Sequence, residues 1–343
     1  MFKKIRKCFV CLLLLSMISA CSVNDENPYK EDVRNSLNNY IESYIDNKQY
    51  ENDIANAEKE AEKVWNNITD AVASDNDENE DDDILKVDFL DVGQGDCTLI
   101  SYHNHYILID SGDNNEGTFV QNYLEKQGVE KIDYLILTHP HADHIGGADV
   151  IISKFDIENI LMPDKSADTK TYRDVIETIK YRNYQNIIDY TSYMEEFSID
   201  ELNFEILSTY SDHEDMNDYS LCVKFIYKDV SLLFTGDATA SVEKELVEND
   251  IDLQADILKI PHHGSKYSSS YTCIKAVAPT YGVISCGENN DYGHPHSQTL
   301  NVLRKNGVKI LRTDEQGSIV MKTDGTNITW NTPASETWQS GDK

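Results

Sequence analysis

Apolar and polar positions divide the chain into three regimes. An apolar run from Cys8 to Ala20 follows Lys3, Lys4, Arg6 and Lys7; it is too short to cross a bilayer as a mature helix and reads as a cleaved leader. From Ser22 to about Asp83 the chain is rich in Asn, Asp, Glu and Lys. Within that stretch Val33, Leu37, Tyr40, Ile41, Tyr44 and Ile45 recur at helical spacing, as do Ile54, Ala57, Ala61, Val64, Trp65 and Ile68, predicting one or two amphipathic helices. The acidic run Ser74 to Asp83 that follows predicts a solvated linker. Beyond it, strand-like segments (Ile84–Asp91, Cys97–Tyr102, Tyr106–Asp110, Ile132–Thr138, Ser220–Tyr227, Val230–Phe234, Ile257–Ile260, Tyr281–Ser285) are interspersed with helix-like ones. The helices are expected over Gly117–Lys126, Gly147–Lys154, Thr171–Tyr181, Ser241–Glu248 and Gln298–Lys305, an α/β pattern without a solenoid repeat. The expected organisation is a leader (1–20), a partly helical, partly disordered tether (21–83), one large domain (84–332) and a flexible tail (333–343).

Charge and cysteine usage refine that outline. The 343 residues carry 61 Asp and Glu against 30 Lys and Arg, a formal net charge of −31. Such a balance argues against a broad phosphate-binding surface, so a nucleic acid would need a local basic groove or metal-mediated contacts. The leader ends in Ile18-Ser19-Ala20-Cys21, which resembles a bacterial lipobox. Cleavage before Cys21 and its lipidation would tether the protein to the membrane outside the cytoplasm, and no protein partner is predictable. Of seven cysteines, Cys97, Cys222, Cys273 and Cys286 remain, each alone in an apolar stretch as a small core residue. No disulfide framework is expected.

The chemistry is concentrated where strands end. His139-Pro140-His141-Ala142-Asp143-His144 places three imidazoles and a carboxylate within six residues of one strand end, a donor set suited to Zn²⁺, Mn²⁺ or Fe²⁺. Further candidate ligands follow other strands: Asp110 after Tyr106–Ile109, Asp237 after Ser231–Gly236, His262 and His263 after Ile257–Pro261, and His294 and His296 after the strand holding Val283 and Ile284. Any one of them alone would be a turn residue or a satisfied core group. Five strand-end clusters together point to a binuclear metal centre.

The His139–His144 run matches the H-x-H-x-D-H signature of the metallo-β-lactamase superfamily, and Phe234-Thr235-Gly236-Asp237 resembles its strand-end aspartate. More specifically, Phe89–Asp96, Leu108–Gly112, Pro261-His262-His263-Gly264-Ser265 and Tyr292-Gly293-His294-Pro295 resemble the extracytoplasmic hydrolase domain of competence DNA-uptake channel proteins, over about Leu85 to Thr332. The resemblance implies a four-layer αβ/βα sandwich with a centre for two divalent metal ions, Zn or Mn. By position, His139 and His141 would hold one metal, Asp143 and His144 the other, and Asp237 would bridge them. His294 is favoured over His263 for the last position. The superfamily's remaining histidine has no counterpart in Met216–Leu221, so Asn217 or Asp218 would supply oxygen. His213, in the polar run Ser211–Asp215, is expected to be exposed. Asp110 is expected to orient a ligand histidine, His262 or His263 to protonate the leaving group, and Ser265 and Lys266 to approach substrate phosphate or the surface. The expected activity is phosphodiester hydrolysis, with DNA as the substrate suggested by the resemblance. The alternatives are a phosphocholine or other small phosphodiester, or a non-catalytic metal-containing binding protein.

Overall fold

Strand alternation decides which side chains enter which layer. The structure, a computed structural model, describes residues 83–190, 195–207 and 212–342. The leader, Cys21 and the tether up to residue 82 lie outside the described residues. In β1 (Leu85–Phe89), Leu85, Val87 and Phe89 point into the central core; in β2 (Thr98–Tyr102) and β3 (His105–Ile109), Ile100, Tyr102, Ile107 and Ile109 join them. Their neighbours Leu99 and Leu108 point the opposite way into a second core. Such period-two segregation is what a sheet covered on both faces demands.

The same sheet continues with β4 (Lys131–Ile136), β5 (Asp156–Pro163) and β6 (Ile187–Tyr190). A second sheet contains β7 (Glu195–Ile199), β8 (Leu202–Leu207), β9 (Cys222–Tyr227), β10 (Val230–Phe234), β11 (Ile257–Lys259), β12 (Tyr281–Ile284) and β13 (Lys309–Arg312). The chain then returns to the first sheet as β14 (Ile319–Thr323) and β15 (Ile328–Trp330). The strand orders are β15-β14-β1-β2-β3-β4-β5-β6 and β13-β12-β11-β10-β9-β8-β7. Both sheets are mixed: β3, β4, β5 and β6 run parallel, as do β10, β11, β12 and β13, while the other neighbours are antiparallel.

Helices cover the outer faces. On the first sheet, α1 (Gly117–Lys126), α3 (Ala148–Lys154) and α4 (Lys170–Arg182) contribute Val120, Leu124, Ile151 and Val175 to the core holding Leu99 and Leu108. On the second, α5 (Ala240–Glu248), α6 (Tyr271–Val277) and α7 (Ser297–Lys305) bury Leu246, Ile274 and Leu303 against Leu233 and Leu258. The single turns α2 (Ala142–Ile145) and α8 (Thr313–Gln316) complete the set among the described residues. The result is the expected four-layer αβ/βα sandwich. Its central core brings Phe89 and Phe204 from the two sheets together with Phe225 and Phe234.

The flexible tail expected from residue 333 is a correction: residues 333–342 lie packed on the domain. Ser335 N–H donates to Ile310 O at 2.7 Å, the Arg312 guanidinium donates to Gln339 O at 2.6 Å, and Asp342 accepts from Ser297 N–H at 2.9 Å. Trp338 packs against the outer core of the second sheet, with Arg304 over its ring. A polar stretch with a single large aromatic has no periodicity to reveal this docking. Trp338→Ala should cost about 1–2 kcal/mol, part of the value of a fully buried large apolar side chain. The check is a lower urea midpoint at unchanged slope.

Candidate metal centre

Parallel strands deliver their C-terminal ends to one edge of the sandwich. After β4, Leu137 and Thr138 lead into His139 and His141, and α2 then carries Asp143 and His144. Gly146 lets this turn close: a Cβ there would lie 2.2 Å from Asn114 N and 2.4 Å from Ala142 O. From the second sheet, β10 ends in Thr235-Gly236-Asp237, whose Asp237 N–H donates to Ser220 Oγ at 3.0 Å. After β11, the turn Pro261–Gly264 presents His262 and His263 with φ of 52° and 54°, left-handed backbone that L-residues adopt at a cost.

Asp237 is the hub. Its Oδ1 lies 3.2 Å from His144 Nε2, and its Oδ2 lies 3.6, 3.7 and 3.9 Å from the Nε2 atoms of His263, His262 and His139. On one side His139 Nε2 stands 3.1 Å from His141 Nδ1; on the other, His263 Nε2 is 3.3 Å from Asp143 Oδ2. Asp143, His144, Asp237 and His263 each offer a ligand atom, all within 4.8 Å of one another.

The polar accounting fits a cation better than a set of side-chain pairs. Asp237 Oδ1, His144 Nε2 and His263 Nε2 are buried without a hydrogen-bond partner among the described residues, although they approach one another closely. Buried polar atoms are ordinarily satisfied, so unsatisfied atoms converging on one place have the arrangement of ligands. Charge points the same way. Burial lowers the proton affinity of His144, but Asp237 and Asp110 outweigh it and hold the imidazole well above its ordinary pKa. His263 is likewise depressed by burial, yet Asp237 and Asp96 hold it up at about 10. Burial works against ionised Asp237, and the His144 and His263 imidazoles more than offset it, leaving its pKa well below the usual range. A divalent cation would take the place of those protons.

Asp110 lies beneath His144. Its Oδ2 is 2.8 Å from His144 Nδ1 and accepts from Thr138 Oγ1 at 2.7 Å, while Oδ1 accepts from Thr138 N–H at 2.8 Å. These contacts fix the ring and leave Nε2 facing Asp237. Asp110→Asn should weaken metal binding by about 10–100-fold with the fold retained. Zinc titration alongside thermal unfolding is the check.

Other expectations need revision. Where the sequence favours His294 for the last position of the second metal, His263 stands in the cluster. His294 lies behind it with ring centroids 6.0 Å apart, its Nδ1 3.3 Å from Gln94 Nε2, and burial pushes its pKa down to about 3. The two imidazoles come from neighbouring strand ends, and spacing alone cannot order them. His213 is not exposed: only 6% of its side chain meets solvent, with its ring against Tyr219 and 4.0 Å from carboxylates of Asp218 and Glu245. Asp218 Oδ1 accepts from Thr239 N–H and Oγ1, whereas Asn217 Oδ1 is buried with no hydrogen-bond partner among the described residues. Lys266 is exposed and Ser265 buried, its carbonyl accepting from Thr299 Oγ1. Two residues without an assigned role, Asp96 and Lys259, also enter the site: Asp96 Oδ1 is 3.2 Å from His263 Nδ1, and Lys259 Nζ is 2.7 Å from Asp96 Oδ2.

A two-sheet αβ/βα sandwich with histidines and carboxylates gathered at one edge defines the metallo-hydrolase class of fold. The chain belongs to the metallo-beta-lactamase superfamily, whose sequence pattern matches residues 90–288. It is 28% identical over 257 residues to "ComE operon protein 3" of Bacillus subtilis, covering 68% of this chain and 32% of that protein. It is 30% identical over 233 residues to "Competence protein ComA" of Neisseria gonorrhoeae, covering 67% and 31%, and 28% identical over 240 residues to "Recombination protein 2" of Haemophilus influenzae, covering 68% and 28%. The chain spans about a third of the length of these curated relatives.

Proposed function

We propose that this protein is a metal-dependent phosphodiesterase acting outside the cytoplasm, with DNA as the first substrate to test. The observation carrying this reading is the Asp237 carboxylate, with one oxygen facing His144 and the other facing His139, His262 and His263. His139 and His141 would hold one divalent ion, Asp143, His144 and His263 the other, and Asp237 both. Asn217 would supply oxygen at the first site, favouring Mn²⁺ there over Zn²⁺. Two such ions would supply the acidity that activates water at neutral pH and would offset charge on an attacked phosphoryl group.

The chain's own groups do the rest. Asp110 and Thr138 hold His144 in one orientation. With His263 inside the cluster, the proton for the leaving oxygen falls to His262. Its side chain is 20% exposed at the rim, its Nε2 is 3.7 Å from Asp237 Oδ2, and its Nδ1 has no hydrogen-bond partner among the described residues. Burial depresses this imidazole and Asp237 opposes that effect, leaving a lowered pKa; the ring would therefore take up the proton released by the attacking water and pass it to the leaving oxygen.

DNA is supported by the names of the competence and recombination relatives, whereas the net charge of −31 favours a small phosphodiester such as a phosphocholine ester. The experiment is metal analysis followed by assay of wild type and Asp143→Ala on single-stranded DNA, duplex DNA and bis(p-nitrophenyl) phosphate across salt. Steep loss of activity with salt on DNA supports the nucleic-acid reading; activity on the small ester, flat with salt, supports the second. Equal rates in wild type and Asp143→Ala would rule out both. For the location, labelled palmitate should enter the wild-type chain and not Cys21→Ala.

A further inference from the structure

Lys259 occupies a place where alternation calls for an apolar residue. It is two residues beyond Ile257 on β11, on the face that looks towards the first sheet, and is 2% exposed. Burying an ammonium group is costly, and a buried ion pair is often no more stabilising than an apolar pair of the same size. Stability alone is therefore a weak reason for a lysine here. Its contacts supply another. Nζ donates to Ile260 O at 3.1 Å and lies 2.7 Å from Asp96 Oδ2, while Asp96 itself is 5% exposed.

Asp96 belongs to the first sheet's β1–β2 loop and reaches two members of the cluster. Its N–H donates to Asp143 O at 3.1 Å, and its Oδ1 is 3.2 Å from His263 Nδ1. The loop lies so close that a Cβ on Gly95 would sit 2.4 Å from Asp143 O. His263 Nδ1 also faces Ser285 O at 2.9 Å. The Ser285 carbonyl at Nδ1 calls for a proton there, which leaves the Nε2 lone pair, on the side of Asp143 and Asp237, for a cation; Asp96 Oδ1 is close to the ring but has no hydrogen-bond partner among the described residues, so it acts through its charge. Ser285 O supplies direction, and Asp96 adds a negative charge that makes the ring a stronger ligand. Without Lys259, that carboxylate would be a third negative charge beside Asp143 and Asp237 with no lysine to offset it, and could rotate away from the ring.

We propose that Lys259 and Asp96 form a positioning pair that fixes His263 through Nδ1 and thereby sets the affinity of the metal site built on Asp143, His144 and His263. The pair is made between the two sheets, so it also ties the site's geometry to their register. The proposal rests on the metal-centre reading above.

The test is titration of the metal-free full chain with Zn²⁺, together with the visible absorption of the Co²⁺-loaded protein, in wild type, Asp96→Asn and Asp96→Asn/Lys259→Met. The double variant removes both charges and so leaves no buried unpaired ion if the single variant fails to fold. The expected result is two equivalents of Zn²⁺ in wild type and about 10–100-fold weaker binding of one of them in the variants, with a changed Co²⁺ spectrum. Wild-type affinity and an unchanged Co²⁺ spectrum in a folded variant would overturn the proposal, and a lowered melting temperature with those two readouts intact would make the pair a staple between sheets only. If wild type binds no Zn²⁺, the parent reading falls together with this one.

Discussion

Replacing Asp237 by alanine should lower kcat/KM for the proposed phosphodiester hydrolysis by at least about 10³-fold, equivalent to roughly 4 kcal/mol of transition-state stabilisation. The expectation follows from connectivity. Asp237 Oδ1 faces His144, and its Oδ2 faces His139, His262 and His263, so this one carboxylate touches both groups of candidate ligands. Its loss would remove a ligand from both ions of the proposed centre and leave the buried imidazoles of His139, His144 and His263 facing one another without the carboxylate that offsets their burial. Repacking cannot replace it, because the position at the end of β10 is fixed from below by the bond from its N–H to Ser220 Oγ. His294→Ala is the control: its ring is outside the cluster, beside Gln94, and its loss should change the rate by no more than about 10-fold. Steady-state kinetics with metal content measured on the same samples checks both. Comparable losses in the two variants would mean that the hub is misplaced.

Legibility in the sequence followed physical simplicity. Strands covered on both faces, such as β1, β3, β9 and β10, show alternation or a dense apolar run, and the patterning finds them. The helices over Gly117–Lys126 and Ser241–Glu248 are found within a residue of their bounds. Patterning is weakest where a strand is short or near an edge, as in the β7–β8 hairpin, whose turn at Asp200 takes a positive φ that no run of apolar residues announces. Helix α6 escapes for a similar reason, since Tyr271 is 56% exposed and only Cys273, Ile274 and Val277 face the core.

The site was legible as chemistry and less so as geometry. His139, His141, Asp143, His144 and Asp237 announce themselves by residue type at strand ends. The order of His263 and His294 depends on how the left-handed turn Pro261–Gly264 aims the His263 ring into the cluster, which is a tertiary property. Lys259 carried an unused signal: strict alternation from Ile257 already places it between the sheets, where a lysine requires a carboxylate partner.

Loading the metal-free chain with Zn²⁺ or Mn²⁺ should raise its thermal midpoint by about 8–16 °C. A ligand that binds only the folded state adds about 4 kcal/mol at a thousand times its dissociation constant, and a domain of 150–250 residues shifts by roughly 2–4 °C per kcal/mol. The size is reasonable here because the folded state keeps Asp237 Oδ1, His144 Nε2 and His263 Nε2 out of water without a hydrogen bond among the described residues, a cost that a cation would offset and the unfolded chain does not bear. The candidate ligands follow β4, β10 and β11 in different sheets, so binding would bridge the two halves of the sandwich and should act on global unfolding rather than on one loop. Asp237→Ala should lose most of the shift, whereas Trp338→Ala, on the outer core of the second sheet, should start from a lower midpoint and keep it in full. Calorimetry with and without chelator measures all three. A wild-type midpoint indifferent to metal would show that these side chains satisfy one another without a cation.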